Sequence, residues 1–215
     1  MTALINRGLT YCQQLINQIR PAMGDLEQIV IMADVSWQDY NALLSLWGDN
    51  APVLFKYLEA TLQIMSPSYR HEFYKENLGI LLEAYLQEKG IRFYSLGSTT
   101  FKSESMQRGI EPDKSYCLNQ RKNIPDLAIE VVLTSGGIDS LKIYQVLPVP
   151  EVWFWQNNQL HVYCLTNQQY EKVAQSDLLP DLDLALLANY VAWEEPFDAV
   201  LAFREQIRGD RRQTK

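Results

Sequence analysis

The stretch Pro125-Asp126-Leu127-Ala128-Ile129-Glu130-Val131-Val132-Leu133 decides how the rest of the chain is read. From Leu127 to Leu133 it is an apolar run of strand length broken once, by Glu130, and such runs belong to strands buried on both faces. A carboxylate left uncompensated in that interior is costly, so a cation, a proton or a metal must answer it. Strand alternation puts Asp126, Ala128, Glu130 and Val132 on one face and Leu127, Ile129 and Val131 on the other. Upstream, Asp113 closes the segment Gly109-Ile110-Glu111-Pro112-Asp113. Antiparallel pairing through a turn around Asn119 to Asn123 sets Asp113 close to Glu130.

Two neighbouring carboxylates repel, and one takes up a proton unless a divalent ion neutralises both. Mg²⁺ suits such a pair, because it uses one or two protein carboxylates, keeps several waters and takes further ligands from a substrate phosphate. The alternative at this point is structural: Glu130 pairs with a buried Arg or Lys, and Asp113 caps a proline turn.

Working outward, Ile29-Val30-Ile31-Met32 is a short strand, and Ser36 with Asp39 forms a capping box for a helix ending near Gly48. Val53 to Met65 reads as a hairpin broken near Glu59 and Ala60. Tyr74, Leu78, Leu81, Leu82 and Tyr85 form one helical stripe, running to about Lys89 and stopped by Gly90. The segments IRFYSLG, STTFKS, IEPDKSYCL and PDLAIEVVL read as consecutive strands of one sheet. Gly136-Gly137 is a corner before a short helix from Asp139 to Leu147, which Pro148 and Pro150 stop. VWFW and LHVYCL are strands about Asn157-Asn158, and LDLALLANYV is a docking helix. The run from Arg204 to Lys215 is locally basic, and its last few residues are expected to be a solvated tail. The expected organisation is an N-terminal extension over 1–35, one domain over 36–195 and a C-terminal tail over 196–215.

The chain has 215 residues, 47% of them hydrophobic, which is enough for one domain to bury a core. Nineteen Lys plus Arg against twenty-six Asp plus Glu give a net charge of −7, which excludes a broadly electrostatic nucleic-acid binder. Contact with a polyanion then needs a local basic patch or a divalent metal. Cys12, Cys117 and Cys164 are odd in number and lack CxxC spacing, which argues against a disulfide framework or structural zinc and fits a reducing cytoplasm. The sequence shows neither an apolar leader in its first twenty residues nor a run long enough to span a bilayer, so export and membrane insertion are not expected.

Several of these motifs occur together in one known family. An acid after proline (Pro112-Asp113), Pro125-Asp126-Leu127-Ala128-Ile129-Glu130-Val131, then Asp139, Lys142 and Tyr144, and Val149-Pro150-Glu151-Val152-Trp153 resemble the Uma-type restriction endonucleases, regarded as members of the PD-(D/E)XK nuclease superfamily. The likeness extends up to YLEATLQIMSPSYRH and down to LLPDLDLALL, covering roughly Ser36 to Tyr190.

The resemblance implies an α/β (α+β) fold with a restriction-endonuclease-like mixed central sheet flanked by helices. It implies metal-dependent hydrolysis of nucleic-acid phosphodiesters, DNA foremost. Asp113 and Glu130 would hold Mg²⁺ or Mn²⁺ together with the Val131 carbonyl. The lysine expected two residues after Glu130 is replaced by Val132, and the following helix offers Lys142 instead. His71 stands where the family also has a histidine, with a role in contacting phosphate or orienting a carboxylate. Glu72, Glu76 and Glu83 are alternatives for the helical acid, and Asp126 supports the site or caps its strand. Family members usually carry Gly where this hairpin has Ala60 or Thr61. Trp153, Phe154 and Trp155 are core or a homodimer surface. Two rival readings stand beside the nuclease: an inactive binding or assembly module on the same fold, and a metal-free domain in which Glu130 pairs with Lys142.

Overall fold

The computed structural model describes residues 27–47 and 53–213. Gly48, Cys12 and the first twenty residues, on which expectations were placed above, lie outside the described residues. The chain divides into two compact units. The first takes the described residues up to Arg70 with Thr99–Glu111 and Thr134–Leu147; the second takes His71–Ser98, Pro112–Leu133 and the chain from Pro148 onward. The expected single domain over 36–195 is thus resolved into two interleaved units, and the supposed extension up to residue 35 contributes strand β1 (Gln28–Met32) to the first.

The first unit is a five-stranded antiparallel sheet in the order β1-β3-β2-β6-β5. Its strands are β1, β2 (Leu54–Leu58), β3 (Thr61–Ser66), β5 (Phe101–Ser103) and β6 (Arg108–Ile110), with helices α1 (Trp37–Trp47) and α3 (Ser140–Tyr144). Helix α1 starts as its capping box requires: the Asp39 amide donates to Ser36 Oγ at 3.1 Å and the hydroxyl returns a bond to Asp39 Oδ2 at 2.6 Å. Tyr40, Leu43, Phe55, Tyr57, Leu62 and Ile64 form its apolar core. Glu59 and Ala60 both sit at positive φ (47° and 63°) in the two-residue β2–β3 turn, the conformation that glycine adopts most cheaply.

The second unit is a six-stranded sheet ordered β11-β10-β9-β8-β7-β4. It comprises β4 (Phe93–Ser95), β7 (Lys114–Leu118), β8 (Leu127–Val131), β9 (Glu151–Gln156), β10 (Gln159–Thr166) and β11 (Gln169–Val173). The β8–β9 pair is parallel and the other pairs are antiparallel, so the sheet is mixed as expected. Asn157-Asn158 and Asn167-Gln168, all at positive φ, make two-residue turns that fix the β9–β10–β11 register. Helix α2 (Tyr69–Lys89) buries the predicted stripe and ends in a Schellman arrangement: the Ile91 amide bonds the Leu86 carbonyl at 2.8 Å, with Gly90 at φ +72°. Helices α4 (Leu184–Val191) and α5 (Pro196–Gln213) complete the unit.

Two expectations are corrected, and one choice between alternatives is made. The four segments from IRFYSLG to PDLAIEVVL do not share one sheet: β5 and β6 belong to the first, while β4, β7 and β8 belong to the second. The change falls at Glu111-Pro112-Asp113, where proline offers no amide to continue a ladder. The C-terminal segment is not a solvated tail up to Gln213 but helix α5, with Ala199, Phe203 and Ile207 in the core. Its Arg204 and Arg208 pair with Glu88, Arg208 through two bonds of 2.6 and 2.9 Å. Trp153 and Trp155 are fully buried, which is the core alternative of the reading above for these two residues, while Phe154 between them is half-buried.

Candidate functional site

The β7–β8 pairing aligns Lys114 with Ile129, Ser115 with Ala128 and Tyr116 with Leu127. Continued by one step, this register sets Asp113 opposite Glu130, and directly opposed residues share a face with Cβ atoms about 5 Å apart. The other face of the same strands, Tyr116, Leu118, Leu127, Ile129 and Val131, is packed into the apolar core with α2. Glu130 alternates to the opposite face of β8, whereas Asp113, one residue before β7, turns its carboxylate to His71 on α2. Both are 2% exposed.

Asp113 is held at both oxygens. Its Oδ2 accepts the Val131 amide at 2.6 Å, and its Oδ1 lies 2.8 Å from Nε2 of His71, which is fully buried in the first turns of α2. With the carboxylate ionised, Nε2 carries the hydrogen. Asp113, Glu130, Val131 and His71 are thus brought together in the second unit, with His71 turned onto the carboxylate.

Asp126 belongs to another task. Its Oδ2 accepts the Leu118 amide at 2.7 Å and its Oδ1 takes Lys122 Nζ at 2.5 Å, which closes the β7–β8 connection. Of the three helical acids, Glu72 pairs with Lys75, Glu76 with Lys114 at 2.8 Å, and Glu83 accepts the Tyr116 hydroxyl at 3.1 Å. These contacts are all on α2 or between α2 and β7.

Lys142 is the third residue of α3, in the first unit, and is exposed. Asp139 is the N-cap of this helix, accepting the Leu141 amide at 3.1 Å. Sequence reading passed over Lys56 in the same unit. It is buried in the middle of β2, and its Nζ donates to Ser140 Oγ at 2.8 Å. The available signal was the one used for Glu130: a single charge inside the apolar strand Leu54-Phe55-Lys56-Tyr57-Leu58.

Among the described residues no group of three or more His, Cys, Asp or Glu side chains is placed to hold a metal ion. A zinc-type closed site is therefore not formed by these residues. Two opposed carboxylates and a neighbouring carbonyl do fit the open, water-completed shell of Mg²⁺, and a carboxylate's lone pairs outnumber the two contacts made by Asp113. No helix among the described residues is long and apolar enough to cross a membrane.

No curated protein matches the chain significantly. The family model Uma2, described as "Putative restriction endonuclease", matches residues 37–193, a span that includes His71, Asp113, Glu130, Val131 and Lys142. Covering well over half of the chain, that match establishes that the chain belongs to the Uma2 family and has its restriction-endonuclease-like α+β fold.

Proposed function

We propose that the protein is a metal-dependent endonuclease that hydrolyses phosphodiester bonds of nucleic acid, DNA first. The observation that carries this reading is a pair of buried acids on adjoining segments, Glu130 in β8 and Asp113 just before β7, with the Asp113 carboxylate tied to the Val131 amide. Asp113, Glu130 and the Val131 carbonyl would hold Mg²⁺, with Mn²⁺ as a substitute. When bound, the ion supplies charge against the scissile phosphate and an acidified water.

The chain's own residues do the rest. The Val131 amide and His71 Nε2 fix the Asp113 carboxylate in one orientation, so its charge needs no reorganisation during reaction. His71 is in this reading a positioning residue. The family resemblance gives Lys142 the cationic contact to the phosphate. The acidic net charge of the whole chain makes an ion-mediated contact the natural way for it to meet a polyanion. Cys117 and Cys164, both free and buried, suit a reducing compartment, and we place the activity in the cytoplasm. A homodimer would allow two copies to cut two strands, and light scattering coupled to size exclusion reads this out.

The decisive experiment incubates the purified protein with a panel of DNA and RNA substrates in Mg²⁺, in Mn²⁺ and in chelator, beside Glu130→Ala. Metal-dependent cleavage lost in Glu130→Ala is expected; equal cleavage by both proteins removes the assignment. The inactive-module reading draws on Val132 standing where the superfamily has lysine. It predicts nucleic-acid binding with no cleavage in any of the three conditions.

A further inference from the structure

Five residues of the first unit line a cavity of about 550 Å³: Trp37, Gln38 and Asn41 on α1, Lys102 on β5, and Glu104 just after it. Small-molecule sites typically measure about 300–1,000 Å³, so one nucleotide has room here.

Sheet register explains how the cavity is built. Tyr57 on β2, Gly109 on β6 and Lys102 on the edge strand β5 are directly opposed and share one face. A Cβ at Gly109 would fall 2.2 Å from Tyr40 Oη, so glycine is what lets the Tyr40 ring lie this close to the sheet. Tyr40 stacks on Tyr57 with centroids 4.8 Å apart, and Trp37 meets both rings, at 5.2 and 5.4 Å. The indole is thus propped by two tyrosines while it stays half-buried at the cavity.

Asn41 fixes the cation. Its Nδ2 donates to the Trp37 carbonyl at 2.8 Å, which leaves its Oδ1 to accept Lys102 Nζ at 2.6 Å. The ammonium uses one of its three donors there and is held at the same cavity as the indole. A propped aromatic ring, an ordered ammonium, an amide and a carboxylate answer the parts of a nucleotide: a base that stacks, a phosphate, and a base edge.

We propose that this cavity binds one unstacked nucleotide of the nucleic-acid substrate, with its base on Trp37 and its phosphate on Lys102. The choice of ligand rests on the nuclease reading. Gln38 and Glu104 take the base edge, since an amide and a carboxylate accept from the exocyclic amino groups of adenine and cytosine. All five residues belong to the first unit, whereas Asp113 and Glu130 belong to the second, so mutation can separate this binding from the metal.

The test measures binding in chelator, by anisotropy of labelled single-stranded and duplex DNA of one sequence and by calorimetry with free mononucleotides. Wild type should prefer the single strand, and Trp37→Ala and Lys102→Met should each weaken that binding about tenfold. Trp37→Phe, which keeps a ring, should recover most of the loss. Among mononucleotides dAMP and dCMP should bind ahead of dTMP; the reverse order overturns the base-edge roles. Should Trp37→Ala be unfolded, Lys102→Met decides, because its side chain is exposed: unchanged binding overturns the proposal. Binding of mononucleotides without binding of either DNA overturns the substrate role, and a neutral disaccharide that competes equally overturns the choice of ligand. If Glu130→Ala abolishes cleavage in Mg²⁺ while neither Trp37→Ala nor Lys102→Met alters binding, only this inference fails. If wild type and Glu130→Ala cleave equally, the nuclease reading fails, and loss of binding in Lys102→Met would still uphold the nucleotide site.

Discussion

Two buried carboxylates of the second unit, Glu151 and Asp113, are nearly equal in exposure and differ in their partners. Glu151, 1% exposed at the start of β9, accepts Trp153 Nε1 at 2.7 Å, Ser176 Oγ at 2.8 Å and the Leu178 amide at 2.8 Å. Ser176 Oγ in turn accepts the Leu179 amide at 2.9 Å, so one carboxylate pins the whole segment after β11. Its donors are neutral and come from elements that would otherwise be loose. Asp113 also accepts two bonds, from the Val131 amide and from His71, and the first of them sets it beside the strand that carries Glu130. Hydrogen bonds from neutral donors make a buried acid part of the architecture, whereas two acids brought close favour a cation beside them.

That contrast can be broken or sharpened by experiment. Glu130→Gln should lower cleavage by about 100-fold or more with the fold intact, while Glu151→Gln leaves the rate near wild type, both read by plasmid cleavage. Stability should show the reverse: Glu151→Ala strands three donors and should cost about 3 kcal/mol in urea unfolding, against a much smaller change for Glu130→Gln. Equal losses of stability in the two would erase the distinction. Mg²⁺ at a hundredfold excess over its Kd should raise the unfolding free energy of the wild type by about 2.7 kcal/mol and do nothing for Glu130→Gln, which calorimetry reads as a shift in Tm. His71→Ala should weaken Mg²⁺ binding by about tenfold without abolishing it, since it removes an orienting contact and no ligand.

The smallest effect concerns pH. Burial and then the Glu151 charge push the Cys164 thiol up to about 12, and burial followed by the Glu83 charge raises Tyr116. The unfolded chain loses these protons first, so their contribution is complete below the ordinary thiol value of 9.0 and is lost as pH rises toward 12. The urea midpoint should therefore decline over that window, and Glu151→Gln should move the thiol's part of the decline to lower pH.

Much of this was legible because short-range chemistry decided it. Asn157-Asn158 specifies a two-residue turn, Gly90 ends α2, and the antiparallel pairing of β7 with β8 follows from alternation and one connection. What was not legible depended on distant partners. Nothing local in Phe101-Lys102-Ser103 tells which of two sheets it joins, and Pro112 marks the change only once both sheets are known. Strand β11, Gln169-Tyr170-Glu171-Lys172-Val173, is an edge strand with little buried surface and so no apolar pattern to detect. In α5 the arginines masked the stripe of Ala199, Phe203 and Ile207, because their partner, Glu88, lies on α2 far back in the sequence. Lys56 was overlooked for a plainer reason: lysine inside a strand is usually taken to snorkel outward, and burial here is a tertiary fact.

Helix α5 bears on how the protein is handled at the bench. The family match ends at residue 193, and a fragment trimmed to that limit would shed the aromatic and aliphatic side chains of Phe203 and Ile207 that close the larger core. It would also take Arg204 and Arg208 away from Glu88. The limit of evolutionary similarity and the limit of cooperative folding thus fall at different residues, and only the longer chain should give soluble material.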